Sequence, residues 1–183
     1  MNKETQQYTL VAVGLHWWIA LMICIAFPLG VYMHDLPLSP DKLRLYSWHK
    51  WIGVTVFLLA FVRLFWRATH TPPALPDRLP QWQKLASHVI HMLLYLLIVA
   101  VPLSGWLMSS AKGVQTVWLG VLPIPDLIEK NKELGNLLVT VHKSLNFSLL
   151  VLVALHVVAA LKHHFIDRDD ILRRMLPFIG GRS

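Results

Sequence analysis

The sequence predicts an all-α integral membrane protein: a bundle of four transmembrane helices with both termini in the cytoplasm. Hydrophobic residues make up 55% of its 183 positions and charged residues only 15%, which is more apolar surface than one soluble core of this size can bury. Four segments are long enough to cross a hydrocarbon layer, because about 20 helical residues span ~30 Å. Turn-forming breaks separate these segments, so each is expected to form its own helix.

The four predicted spans follow one another along nearly the whole chain. The proline-containing breaks DLPLSPDK and THTPPALPDRLP end the first and second spans, and a longer mixed segment precedes the fourth. None of these connectors is long enough for a second domain, so one transmembrane domain is expected over 1–183. The spans are predicted over residues 9–33, 44–67, 83–110 and 136–164.

Basic residues favour one orientation of this bundle. With both termini inside the cell, the inner side carries 10 of the 17 Lys and Arg residues and the outer side carries 7. Positive charge accumulates on the cytoplasmic side of membrane proteins, so this excess predicts cytoplasmic termini. The basic residues lie beside apolar spans, so the formal charge of +7 predicts contact with membrane lipid and not with nucleic acid.

Histidine is the residue type that can carry metal chemistry here. Cys24, the one cysteine, lies in an apolar run, which excludes a disulfide framework or a thiolate metal cluster made by this chain. Of the ten histidines, His142 and His156 lie in one predicted helix. Their spacing of fourteen residues leaves them about 40° apart around the axis and roughly 21 Å apart along it. One falls near each membrane face, which predicts two metal centres.

Each of these histidines has a partner at the same depth on another predicted helix. The first span runs outward and the fourth inward, so His16 lies level with His156. By the same reasoning His49, near the outer start of the second span, lies level with His142. Two facing imidazoles with an apolar slot between them are what a low-spin haem b requires. Because the chain has no C-x-x-C-H motif, the two haems b would be held noncovalently.

Two glycines beside these histidines are candidates for contact with the cofactor. Gly14 lies two residues before His16, and Gly53 lies one helical turn after His49. A missing side chain there would let a porphyrin face approach the backbone, although small residues also mediate ordinary helix contacts in membranes. A single histidine can likewise be a packing residue. Four of matched depth favour a cofactor, because ionisable groups inside a membrane are costly.

Further histidines lie at the ends of the spans. His88 and His91 are three residues apart at the start of the third span, so they are expected on one helix face. They could reach the propionates of the inner haem or a quinone, or they could form hydrogen bonds within the bundle. His163 and His164 end the fourth span, where a solvated helix end is the simpler interpretation.

Several motifs carry a family resemblance that covers nearly the whole chain. The longest, VHKSLNFSLLVLVALHVVAALKHHFIDRDDILRRM, is also the most specific. The motifs are LHWW at 15–18, HKWIG at 49–53, RLFWR at 63–67, HMLLYLL at 91–97, PLSG at 102–105 and the long motif at 141–175.

With these motifs the chain resembles the bacterial cytochrome b561 family, small four-helix diheme membrane cytochromes related to the cytochrome b subunits of hydrogenases and formate dehydrogenases. The resemblance implies a multi-pass cytochrome b domain in the bacterial inner membrane. It also implies a histidine near the inner haem or its quinone site, matched by His91, whereas His88 is not clearly required. The haem ligands implied are the set derived above, His16 and His156 for the inner iron and His49 and His142 for the outer iron.

The activity implied by the resemblance is outer-sphere electron transfer, since an iron with two protein ligands does not readily bind oxygen. Family members include a superoxide oxidase that passes electrons from superoxide to ubiquinone. Lys50 and Lys143, beside the outer ligands, could attract that anion or pair with haem propionates or lipid phosphates. The candidates for binding ubiquinone or menaquinone near the inner haem are His91, Lys162, His163 and His164.

Three functions remain open on the sequence alone. The first is a self-contained quinone-linked oxidoreductase, such as a superoxide oxidase. The second is an electron-transfer subunit or carrier for a separate periplasmic redox partner. The third is a haem-free, histidine-lined metal transporter, which is disfavoured because the predicted spans contain no acidic residue to help carry a divalent ion.

Overall fold

A computed structural model, which describes residues 7–76 and 78–176, confirms the four-helix architecture. Each helix is long and apolar enough to cross a membrane. The second and fourth helices begin four residues before their predicted spans, because the residues that cap them lie outside the apolar runs. The helices are α1 (Leu10–Asp35), α2 (Pro40–Thr69), α3 (Gln81–Ala111) and α4 (Lys132–Lys162).

Polar side chains start three of the four helices. The hydroxyl of Thr9 accepts a hydrogen bond from the amide of Ala12 at the start of α1, and the carboxamide of Asn131 caps α4 in the same way. At the start of α2, the Ser39 hydroxyl accepts from the Lys42 amide, and Pro40 occupies the first helical position. Each cap satisfies an amide that has no partner inside the helix, and so defines where the helix begins.

The connector between α3 and α4 contains a small antiparallel β-hairpin that its mixed composition did not predict. Its strands are β1 (Thr116–Trp118) and β2 (Leu122–Ile124). Leu119 and Gly120 join them with positive φ angles of 53° and 74°, as a type I′ turn requires. The usual sequence signal for this turn is Asn-Gly or Asp-Gly, so the Leu-Gly pair did not predict it.

The hairpin is tied to one end of α2. The Trp51 indole donates to the carbonyl of Val117 at 2.6 Å, and the Trp118 indole donates to the hydroxyl of Thr55 at 3.2 Å. At the opposite end of the bundle, the Trp17 indole of α1 donates to the carbonyl of Met175, in the segment after α4. We call the end with the hairpin the hairpin end, and the end with this contact the terminal end.

The interior of the bundle is small. The tightest cluster consists of Ala60, Leu97, Ile98 and Leu149, contributed by α2, α3 and α4. The most extensive helix contacts are between α3 and α4, followed by α1 with α2 and α2 with α3. Many large apolar side chains are exposed on the outside of the helices, as expected where lipid surrounds them.

Replacing Leu149 by Ala is expected to destabilise the bundle by about 2–5 kcal/mol, because truncating a buried leucine leaves a cavity. The matched change Leu150→Ala removes the same atoms from the next residue of α4, whose side chain is 43% exposed against 4% for Leu149. Thermal denaturation in detergent measures both variants, and Leu150→Ala should stay close to the original protein. Equal shifts for the two would contradict the placement of Leu149 in the core.

Candidate functional site

Two pairs of histidines face each other inside the bundle. The rings of His16 on α1 and His156 on α4 lie 6.2 Å apart, centre to centre. The rings of His49 on α2 and His142 on α4 lie 6.4 Å apart. These are the pairs that the sequence matched by depth. We call them the terminal-end pair (His16 and His156) and the hairpin-end pair (His49 and His142).

The spacing within each pair fits a shared metal. A metal–imidazole bond is about 2.0 Å long and the bonding nitrogen lies about 1.1 Å from its ring centre, so imidazoles on opposite sides of one metal have centres about 6.2 Å apart. Imidazole is a donor of the kind that haem iron takes from proteins. The donor set and its spacing therefore fit a bis-imidazole iron at each pair.

Backbone carbonyls fix the rings of the hairpin-end pair. The Nδ1 of His49 lies 3.1 Å from the carbonyl oxygen of Ala26, and the Nδ1 of His142 lies 3.1 Å from that of Val101 and 2.9 Å from the Ser104 hydroxyl. A carbonyl oxygen only accepts, so each Nδ1 carries the proton. The lone pair of each Nε2 is then left free for a metal, which is the usual arrangement for metal-binding histidine.

Two glycines let these rings approach the neighbouring helices. A Cβ atom at Gly30 on α1 would lie 3.0 Å from the Cε1 of His49, and one at Gly105 on α3 would lie 3.0 Å from the Cε1 of His142. Any larger residue would push the ring away. The sequence reasoning missed both, since each glycine is remote in sequence from the histidine it touches. The one signal was the position of Gly105 at the end of the PLSG motif.

Gly14 and Gly53, the glycines that the sequence suggested for contact with the cofactor, have open space beside them. A Cβ at Gly14 or Gly53 would meet no atom within 4 Å. Neither glycine is therefore required by close packing within the described chain. Their suggested role, making room for a porphyrin face, stays a prediction.

His91 and His88 diverge, although they were expected to share a helix face. The ring of His91 lies edge-on to that of His156, 5.1 Å away, and its Nδ1 donates to the carbonyl of Ser87. His88 is exposed and turns its Nδ1 to the carbonyl of Lys84. Residues three apart point in directions about 60° apart around the helix axis. Here that difference places His91 in the bundle interior and His88 on its surface. His91 is thus the one brought to the terminal-end pair.

The remaining quinone-site candidates lie where α4 ends: Lys162 is its last residue, and His163 and His164 begin the π-helical turn His163–Asp167 that follows. The Lys162 amine lies 2.6 Å from a carboxylate oxygen of Asp167, and the Nδ1 of His163 lies 2.7 Å from the buried carboxylate of Asp169. The Nδ1 of His164 is buried and has no hydrogen-bond partner among the described residues. Among residues 7–76 and 78–176, no hydrogen bond, ion pair or ring contact joins any of these three side chains to His91.

The two lysines beside the hairpin-end pair have protein partners. The Lys50 amine donates to the carbonyl of Val114 at 2.9 Å, which ties α2 to the connector before the hairpin. The Lys143 amine donates to the Nε2 of His34 at 2.9 Å. The opposite ring nitrogen of His34 bonds to Asp35. Both lysines thus stay at the hairpin end with their positive charge held close to the bundle.

A bundle of four membrane-spanning helices with imidazoles paired inside it is the architecture of a membrane b-type cytochrome. Comparison with known proteins gives the family. The profile of the family described as "Prokaryotic cytochrome b561" matches residues 7–178, and the chain belongs to that family. It is therefore a multi-pass bacterial membrane cytochrome that carries b-type haem and takes part in electron transfer, which rules out the haem-free transporter.

Individual relatives cover nearly the whole chain. "Cytochrome b561 homolog 2" of Escherichia coli strain K12 is 33% identical, with 96% of this chain and 94% of the relative aligned. "Cytochrome b561 homolog 1" of the same organism is 30% identical over 97% of this chain and 98% of its own length. A protein of Yersinia pestis named "Probable superoxide oxidase CybB" is 29% identical over 94% of this chain and 97% of its own length.

Replacing Gly105 by Ala is expected to lower the haem content of the purified protein, because the new methyl group displaces the His142 ring at a cost of about 1–3 kcal/mol. Pyridine haemochrome assay against protein concentration measures the ratio. Gly135→Ala is the matched control, since its Cβ would meet only the flexible Lys112 side chain closely, at 3.1 Å. An unchanged ratio in Gly105→Ala would show that the contact with His142 has no role in binding.

Proposed function

We propose that this chain is a diheme electron-transfer protein of the bacterial inner membrane, one transmembrane cytochrome b domain that passes electrons from a one-electron donor at the hairpin end to membrane quinone at the terminal end. The observation that carries the proposal is the presence of two imidazole pairs at two depths, with His142 and His156 roughly 21 Å apart along α4. The basic residues of the terminal end favour its placement in the cytoplasm, with the hairpin end in the periplasm.

In this proposal each pair would hold the iron of one noncovalent haem b. His16 and His156 would hold the terminal-end haem, and His49 and His142 would hold the hairpin-end haem. Bound haem supplies one-electron chemistry, cycling between ferric and ferrous iron without losing either ligand. The protein fixes the ligand orientation through the carbonyls of Ala26 and Val101, and Gly14 and Gly53 leave space for the porphyrin faces.

Superoxide is the donor that best matches the hairpin end. Lys50 and Lys143 hold positive charge beside the hairpin-end pair, and such charge raises the local concentration of an incoming anion. The Yersinia pestis relative is named as a probable superoxide oxidase. Oxidation of two superoxide anions would give two oxygen molecules and release two electrons.

Quinone is the acceptor proposed at the terminal end. Reduction of one ubiquinone or menaquinone to the quinol takes up those two electrons and two protons. His91, which touches His156, lies where a quinone head near the terminal-end haem could be hydrogen-bonded. Lys162, His163 and His164 stand at the end of α4, where they can relay protons from the aqueous phase.

The hairpin supports a second candidate, an electron-transfer subunit or carrier that serves a separate periplasmic redox protein. Leu119, Val121 and Leu122 expose apolar side chains at the hairpin turn, and Val121 is 83% exposed. Exposed apolar residues on a turn beside the hairpin-end pair are suited to contact a partner. In that case the purified chain would bind haem but have little activity until the partner is added.

Two ligand variants test the diheme assignment. His142→Ala and His156→Ala are each expected to lose one haem and keep the other, because each removes one histidine from one pair. Dithionite-minus-oxidised spectra with haem-to-protein ratios measure this, with two haems per chain expected for the original protein. Loss of both haems in a variant that remains folded, or a ratio of one in the original protein, would overturn the assignment.

The donor and the acceptor are tested with the purified protein in liposomes. Superoxide is expected to reduce it, and added quinone to reoxidise it, without another protein. Lys143→Gln should slow reduction by superoxide by about threefold to tenfold and weaken its dependence on ionic strength. Lys132→Gln is the control, since it removes the same charge from the exposed start of α4. Reduction only after a periplasmic protein is added would favour the second candidate.

A further inference from the structure

Positive charge gathers on one side of the terminal-end pair. The guanidinium of Arg63, half-buried on α2, lies over the ring of Tyr95 on α3, 5.6 Å from its centre. The guanidinium of Arg67, one turn further along α2, lies 5.3 Å from the centre of the same ring. Tyr8 adjoins this group: burial raises the pKa of its phenol, and the positive charges of Arg67 and Arg174 oppose that rise.

Arg63 stands at the depth of the terminal-end pair. It follows His49 by fourteen residues, the same interval that separates His142 from His156, so it projects toward the same side of its helix as His49. Its Nη1 lies 3.4 Å from the carbonyl oxygen of Ala12, one helical turn before His16.

Within the part of the chain that the structure describes, the hydrogen-bond partners of Arg63 are neutral. Its Nε donates to the Tyr95 hydroxyl at 3.2 Å and its Nη1 to the Ala12 carbonyl. Among residues 7–76 and 78–176, neither Arg63 nor Arg67 forms a salt bridge. Three aspartates after α4 have other partners: Asp167 bonds to Lys162, Asp169 to His163 and Asp170 to Arg173.

A guanidinium at membrane depth without a counter-ion is unfavourable, and such residues are usually paired or functional. We propose that Arg63, aligned by Tyr95 and accompanied by Arg67, binds a propionate carboxylate of the terminal-end haem. This inference rests on the proposed presence of that haem. A planar guanidinium bonds a carboxylate through two parallel N–H groups, so Arg63 is a positioning residue that anchors the porphyrin edge, while the two histidines hold the iron.

The test compares haem release with and without free propionates. Arg63→Gln is expected to release the terminal-end haem about tenfold faster than the original protein, because a charge-assisted hydrogen bond is lost. The release rate of Arg63→Lys should lie between those of Arg63→Gln and the original protein, since lysine keeps the charge but cannot form two parallel hydrogen bonds. Arg44→Gln is the matched control, because Arg44 also lies over an aromatic ring, that of Trp48, but near the opposite end of α2.

The same proteins are then loaded with haem b whose propionates are methyl esters. Arg63→Gln and the original protein should now release the ester at equal rates, because neither can form the pair. An effect of Arg63→Gln that persists with the ester would overturn the inference and assign Arg63 to another anion, such as a lipid phosphate.

Failure of this inference differs from failure of the proposed function. An original protein that holds two haems and releases both as fast as Arg63→Gln contradicts the role of Arg63 alone. An original protein that holds no haem at the terminal-end pair, so that His156→Ala leaves its haem content unchanged, contradicts the proposed function and this inference together.

Discussion

The constraint on which the rest of this structure depends is one interval along the helix, fourteen residues, used in every helix of the bundle. Fourteen residues bring a helix back to nearly the same face after roughly 21 Å, so each helix places one residue at each of two depths inside the bundle. No acidic side chain from the spans enters either level. The residues at the hairpin-end level are Gly30, His49, Gly105 and His142, and those at the terminal-end level are His16, Arg63, His91 and His156.

The two levels differ in chemistry although they share this geometry. The hairpin-end level combines two histidines with two glycines, which admit the rings and add no polar group. The terminal-end level contains no glycine and adds His91 and Arg63 to its histidine pair, so it is more polar and positively charged. A quinone needs protons and hydrogen-bond donors where it is reduced, whereas a site that only takes in electrons does not. The proposed direction of transfer follows this difference.

The sequence predicted this arrangement where the physics is local and missed it where contacts join distant residues. Span-length apolar runs predicted the four helices, and counting residues along them matched His16 with His156 and His49 with His142, because depth in a helix is proportional to residue number. The contact of Gly105 with His142 depends on how α3 packs against α4, and the separation of His88 from His91 depends on which face of α3 meets the interior. The hairpin was not predicted because its turn is Leu119–Gly120, which lacks the usual asparagine or aspartate.

Both hairpin-end rings dock on a neighbouring helix in one way. His49 bonds to the carbonyl of Ala26 and touches Gly30 four residues later, and His142 does the same with Val101 and Gly105. The acceptor is main chain in each case, so its presence does not depend on which amino acid stands at position 26 or 101. A substitution at position 26 or 101 therefore leaves this acceptor in place, whereas a side chain instead of the glycine one turn later would crowd the ring.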